Sequence, residues 1–347
     1  MKKYFLSFVA LAAMLFATSC QESLVEPQVG GTTTFTVQLP NEMGTKAFGD
    51  EASTNATINR LYVEVYSENG DNLIYEPTSF IEVVNGQATF TANLIQDQKY
   101  DIIFWAQKDD AYTTRDLRKI PMTNRAHNVD NGAAFFAFLD NFIPKGVAQP
   151  VELKRPFAQL NLGTTLASLN DTDLSNDLVL DQSYIKVENV APIFNTVTGK
   201  GEGTEQVEEQ AAEFSFAKVP TIDLVVNGAT YKYISMDYLP IAGDEQALVT
   251  VTAKIKLTTG EEIDHIFTNV PVKENYRTNI VGNLISSTTD FNVTIEESWT
   301  GEEIYPDNDL ENLYFAASNG GEVTLSQDIE LDEQLVSKHP KKYITNQ

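Results

Sequence analysis

The sequence predicts an all-β fold. Apolar residues recur with period 2 in many short runs, as half-buried strands require. Turn pairs such as Asn69-Gly70, Asn85-Gly86 and Thr259-Gly260 separate those runs. No long apolar segment of helical period appears before residue 152. The composition, 42% hydrophobic with 19 Phe and 14 Tyr, supplies β-rich cores and excludes a disordered chain.

Residues 33–39, TTFTVQL, form the first strand. Phe35, Val37 and Leu39 share one face, Thr34, Thr36 and Gln38 the other, and Pro40 closes the run. Residues 41–57 are polar and small and read as a long exposed loop containing Lys46-Ala47. Leu61, Val63 and Val65 then face opposite to Tyr62, Glu64 and Tyr66, and Ala88, Phe90 and Ala92 alternate after the next turn. Residues 100–106, YDIIFWA, are almost wholly apolar, the pattern of a strand covered on both faces. Residues 133–139, AAFFAFL, are similar, although their lack of alternation also fits a short helix.

A second unit starts near residue 153. In VELKRPFAQLNL, Pro156 separates two strands, and Ala158, Leu160 and Leu162 make one face. Ile185 and Val187 follow, then GEGTEQVEEQAAE at 201–213, whose five glutamates read as a solvated loop. The cleanest strand is 247–257, with Val249, Val251, Ala253, Ile255 and Leu257 inward. It turns back into Ile263, His265 and Phe267, and residues 276–285 and 291–295 close the unit. Short strands with regular turns predict β-sandwiches over residues 32–152 and 153–300. Residues 301–347 differ: a short helix, a Gly-Gly turn and alternating Val323, Leu325, Ile329 and Leu331 resemble the opening of a β-helix that the sequence does not complete.

The N-terminus sets the location. Lys2 and Lys3 precede a short apolar run from Tyr4 to Phe16, then the small residues Ala17-Thr18-Ser19 and Cys20. This is a secretory signal over residues 1–19, too short for a bilayer span of about 20 residues. Cys20 is the only cysteine, so disulfides and cysteine-based metal sites are excluded. The stretch resembles the lipobox of bacterial lipoproteins, with Ala17 where Leu is commoner. That resemblance implies a diacylglycerol on Cys20 and an outer-membrane, cell-surface protein on a lipid anchor, with residues 20–31 as a linker. The formal charge is −25; the signal carries two lysines and no acid, so the remainder is −25 − 2 = −27. Such a surface repels nucleic acid.

Enzymatic motifs are absent. His127, His265 and His339 lack metal-ligand spacing, and there is no GxSxG elbow or phosphate-binding Gly loop. Asp109, Asp110 and Asp116 near Trp105 and Tyr112 would suit a glycosidase pair, but 49 acids make chance proximity easy. The expectation is a non-enzyme with no cofactor, no metal site and no catalytic residue.

The order of several stretches resembles one family. The lipobox is followed by Leu39-Pro40, then Thr45-Lys46-Ala47, LKRPFAQLNLG at 153–163, YLPIAGDEQALVTVTAKI at 238–255 and NYRTNIVGNLI at 275–285. Over about residues 1–300 the chain is similar to the fimbrillin-type lipoproteins, the type V pilins of anaerobic gut and oral bacteria. The resemblance implies two tandem transthyretin-like β-sandwich domains. It implies cleavage after a basic residue in the first long loop, here Lys46, with Ala47 as the new N-terminus. Loss of the strand bearing Phe35, Val37 and Leu39 would open a groove for a strand of another fimbrial subunit or of a second copy. The C-terminal segment departs from a pilin donor strand, which favours an adhesin, tip or anchor binding a host or bacterial surface ligand. A second reading, from a different class, is a surface glycan-binding lipoprotein that uses exposed aromatics such as Trp105 or Trp299.

Lipidation gives the first testable outcome. Cys20→Ala should release the protein from the membrane fraction, and a clickable palmitate should label the wild type and not the variant.

Overall fold

The computed structural model of the protein describes residues 30–40, 58–68, 73–75, 79–122, 127–129, 132–165, 179–203, 211–241, 246–285 and 290–296. Cys20, Lys46, Ala47, the signal segment, Trp299 and residues 301–347 lie outside them. Among the described residues every regular element is a β-strand, so the fold is all-β as the alternation predicts.

Five sheets arise. The first orders β5 (Gln87–Ile95), β1 (Gly30–Gln38) and β9 (Gln149–Glu152). The second orders β3 (Leu73–Tyr75), β2 (Arg60–Ser67), β6 (Tyr100–Gln107) and β8 (Ala134–Phe142), with β4 (Ile81–Glu82) also on β2. The third orders β15 (Asp223–Val226), β16 (Ala229–Pro240), β10 (Phe157–Thr165), β19 (Arg277–Asn283) and β20 (Asp290–Glu296). The fourth orders β14 (Ala211–Lys218), β11 (Leu180–Glu188), β17 (Gln246–Leu257) and β18 (Glu262–Lys273). The small fifth joins β13 (Lys200–Glu202), β12 (Ile193–Asn195) and β7 (Lys119–Pro121). Pairing is antiparallel except for β1 with β9 and β10 with β19.

The first two sheets enclose one core. Leu61, Val63 and Val65 of β2 and Ile102 and Phe104 of β6 meet Phe35 and Phe90 from the first sheet. The third and fourth sheets enclose another. There Leu160, Leu162 and Ile280 meet Ile185, Val187 and the inward residues of β17, Val249 to Leu257. The alternation of β17 survives intact: its five apolar positions are buried and Lys254 and Lys256 lie on the other face.

One open local reading is settled and two are revised. The run 133–139 is strand, not helix: Phe135 and Phe136 are both buried, and β8 pairs with β6 along its length. A strand covered on both sides shows no alternation, which is why its pattern is ambiguous. The acidic stretch 201–213 begins and ends in strand, as β13 and β14. Trp105, read as an exposed sugar platform, is 0% exposed. Its ring lies 5.6 Å from Tyr112, 6.2 Å from Phe157 and 6.1 Å from Phe194. The second face of β6 is therefore covered by the 108–122 connection and by residues from beyond position 153. The fifth sheet spans the same region, since Ile120 of β7 pairs with Phe194 of β12.

That cover hangs on a buried carboxyl. Glu64, 2% exposed, accepts from Tyr66 Oη at 2.6 Å and from the Leu117 amide at 3.0 Å. Leu117 in turn offers its carbonyl to Thr196 Oγ1 at 2.7 Å. Burial, the largest influence, holds the Glu64 carboxyl above its ordinary value of 4.5 although both hydrogen bonds favour the anion. An acid with a raised folded-state pKa binds its proton more tightly folded than unfolded. Its contribution to stability is therefore largest below 4.5 and falls as pH rises through the raised value. Glu64→Gln should remove that loss. In denaturant unfolding at a series of pH values, the variant should gain on the wild type from pH 4.5 towards neutrality.

Candidate functional site

The first strand is the element the sequence marks for function, and its geometry can be built from its residues. β1 lies in the middle of its sheet. All nine of its residues pair with β5, from Gly30 opposite Ile95 to Gln38 opposite Gln87, and Phe35 to Gln38 pair with β9 on the other side. Leu39 prolongs the pairing by donating its amide to Gly86 O at 2.8 Å, and Gln38 O accepts from the Leu153 amide at 3.0 Å. Gly86 takes φ 74°, a left-handed turn conformation open to glycine, which closes the Asn85-Gly86 hairpin beside Leu39.

The alternation then decides which side chains enter the core. Phe35, Val37 and Leu39 are 0%, 2% and 3% exposed, while Thr36 on the other face is exposed. The Phe35 ring lies 5.7 Å from Phe90, 5.7 Å from Phe104 and 5.2 Å from Phe142. It thus touches its own sheet and two strands of the facing one. Ala88 stands opposite Val37 and Ala92 opposite Thr33, while Phe35 faces Phe90 directly. Burying each of these apolar side chains is worth about 1.5–3 kcal/mol.

The acids that could have formed a sugar-cleaving pair are bound to arginines. Arg60 reaches Asp109 at 3.9 Å and bonds Asp110, with its guanidinium 4.4 Å from the Phe80 ring. Asp116 holds Arg118 at 3.0 Å. Among the described residues no three His, Cys, Asp or Glu are grouped to hold a metal ion. Nor is any helix among them long and apolar enough to cross a membrane.

A family profile matches residues 26–331, the whole span of the described strands and beyond it. The chain belongs to the family of unknown function DUF6562. No curated protein matches it. Among solved structures, it is similar to a candidate cell adhesion protein from Parabacteroides distasonis, at 14% identity and a TM-score of 0.45, over 80% of this chain and 100% of that one. It is similar to the tip fimbrial protein Mfa3 from Porphyromonas gingivalis, at 11% identity and 0.43, over 76% and 99%. It is also similar to the fimbrial anchor protein Mfa2 from Porphyromonas gingivalis, at 14% and 0.39, over 76% and 97%. Identities and scores this low transfer no function.

In this DUF6562 chain the structure also assembles a buried network with no sequence signal. His127 Nδ1 lies 2.9 Å from Asp237 Oδ1, and Nε2 lies 3.1 Å from both the carbonyl and the hydroxyl of Ser183. The connectivity imitates a Ser-His-Asp triad, but the roles do not fit. Ser183 is 0% exposed and donates its hydroxyl proton to Ile234 O at 2.6 Å. Its oxygen can then only accept, and an Nε2 that faces a carbonyl must donate. The histidine is thus no base for this serine. Asn128 adds bonds to Ser183 Oγ at 2.8 Å and from the Met236 amide at 3.1 Å. The segment 127–129 is a latch pinned to the second core. Its partners lie 56 and 110 residues away in sequence, so no local spacing could reveal them.

The site makes a stability prediction. Phe35→Ala removes a ring seated among three others and should cost about 3–5 kcal/mol in denaturant unfolding. Thr36→Ala, on the exposed face, should stay within about 0.5 kcal/mol of wild type.

Proposed function

We propose that this chain is a non-enzymatic cell-surface lipoprotein of the fimbrillin kind, anchored through Cys20 to the outer membrane. Its two tandem transthyretin-like sandwiches, 32–152 and 153–300, would serve fimbria assembly or adhesion in an accessory, tip or anchor role. The partner is another fimbrial subunit or a second copy, joined by β-strand addition where β1 now lies.

The position of β1 carries this reading. An edge strand, once removed, leaves one row of unpaired backbone groups. A central strand leaves two facing rows, here on β5 and β9, above the pockets of Phe35, Val37 and Leu39. Each buried group left without a partner costs about 1–3 kcal/mol, so an emptied slot favours an incoming strand strongly. Backbone bonds would supply affinity, and the aromatic pocket of Phe35 would select among donors. Lys46 follows β1 within eight residues of its end at Gln38, close enough for a cut there to free the strand. The glycan-binding alternative loses Trp105, one of its two named aromatics, to the core.

Limited trypsin digestion of the purified protein tests the mechanism. Cleavage after Lys46 should come early, and the product should shed residues 21–46 and then form oligomers or take up a strand peptide. Lys46→Ala should suppress both steps. A clipped protein that retains residues 21–46 and stays monomeric with every donor offered rules strand addition out.

A further inference from the structure

The ladders locate the free end of the first two sheets. Gly30 of β1 stands opposite Ile95, the last residue of β5, and the turn at 96–99 leads from there to Tyr100. Tyr100 pairs with Ser67 at the end of β2 and with Phe142 at the end of β8. Leu73 of β3 pairs with Tyr66, one step from Ser67. β9 runs parallel to β1 and its pairing starts opposite Phe35, so the residues just before it also lie toward Gly30. The second half of the chain joins at the other end, where Glu152 stands opposite Gln38.

The Gly30 end is rimmed with apolar side chains. Leu73 and Ile74 are 44% and 49% exposed, and Ile143 and Val147 are 38% and 64% exposed. They flank the second sheet, since β3 and β8 stand three strand spacings apart, about 14 Å. A single exposed apolar residue is ordinary; here two segments project a pair each from opposite edges of one end. The charges nearby nearly cancel. Lys99 pairs with Glu68 at 3.1 Å, and Asp97 and Asp140 offset Lys145. The tether decides what lies against this rim. Cys20 precedes Gly30 by ten residues. Ten extended residues span at most about 35 Å, so a lipid on Cys20 keeps this end of the molecule close to the bilayer.

We propose that the Gly30 end rests in the lipid surface, with Leu73, Ile74, Ile143 and Val147 entering the headgroup boundary. The contact presupposes the anchoring at Cys20 proposed above. A net charge of −25 and balanced charges at the rim offer anionic lipid no net attraction, so the contact is apolar and the fitting lipid zwitterionic. Four side chains are too few to hold a bilayer alone; the tether raises their effective concentration at the surface. The contact orients the molecule. It turns the second half of the chain outward, and the chain leaves β1 at Gln38 on the side facing away from the lipid.

Hydrogen exchange tests the contact. The chain from Cys20 onward, which keeps every described strand, is coupled through its one thiol to a maleimide lipid in phosphatidylcholine vesicles. It is compared with the same chain capped by a soluble maleimide. Amides at 73–75 and 143–148 should exchange several-fold more slowly on the vesicles, at low and high salt alike. The turn at Val84, 56% exposed at the Gln38 end, should not change. Ile74→Ser combined with Val147→Ser, both at exposed positions, should remove the slowing and leave thermal unfolding as in wild type. Equal exchange on and off vesicles, or slowing that the double variant keeps, overturns the proposal. So does slowing in the soluble chain that grows with protein concentration, because a second copy would then cover the rim. Coupling supplies the anchor chemically, so a failure of lipidation in cells, read by the palmitate label, stays distinct from a failure of this contact.

Discussion

The architecture depends on one strand with no free face. All eight residues of β6, Tyr100 to Gln107, are buried. A strand has two faces, so two bodies must pack against it. Phe104 points into the first core, where Phe35 and Phe90 lie. Trp105 points the other way, to Tyr112, Phe157 and Phe194. Its indole donates to Gln107 Oε1 at 2.8 Å, and Gln107 passes its own amide on to the carbonyls of Asp109 and Tyr112. The polar ends of this strand are thus satisfied in place, which is the condition for burying them at all. The first sheet, the 108–122 connection and the start of the second half are arranged as they are because β6 needs all three.

The sequence was legible where a strand has one wet face. β17 and β1 alternate cleanly, and their inward residues could be named from the pattern: Val249 to Leu257, and Phe35, Val37 and Leu39. β6 was legible for the opposite reason, since a run with no polar face announces double cover. The first four residues of β8, Ala134 to Ala137, have the same cover and were ambiguous, because a short apolar run fits either period. Glu64 and Tyr66 were read as the outer face of β2, and that face is buried because the 108–122 connection folds back over it. Trp105 misled for the same reason. Exposure of an aromatic is a property of what lies above the sheet, and nothing in YDIIFWA states what that is.

The polar contacts between distant segments were not legible at all. Ser235 Oγ donates to Asp237 Oδ2 at 2.7 Å while Asp237 Oδ1 faces His127, so a serine two residues away and a histidine 110 residues away share one carboxylate. Hydrogen bonds impose no periodicity on sequence; they impose geometry on the folded chain. A latch of this kind adds little net energy, because each bond replaces one made to water. It adds uniqueness instead. A sliding of segment 127–129 by one residue would take the His127 ring from Asp237 Oδ1 and the Asn128 side chain from the Met236 amide, and each loss would fall on a buried polar atom.

The same economy bears on the proposed exchange of β1. An acceptor slot is useful only if its walls stand once the strand has left. β5 runs into β6 through the short turn at residues 96–99, and β6 is held at its edges by β2 and β8 and on its far face by Tyr112, Phe157 and Phe194. On the other side, the chain leaving β9 is tied to the second sheet, since Lys154 and Phe136 exchange both backbone bonds at 2.9 Å. Each wall thus keeps one tether that does not run through β1. With β1 gone, β5 and β9 would stand two strand spacings apart, roughly 9–10 Å, which is the room one new strand occupies. A preorganised slot avoids the entropy of rebuilding the sheet at each addition. The large aromatic pocket at Phe35 would then act as the register mark. A donor slipped by one residue would turn its apolar face to solvent and leave that pocket empty.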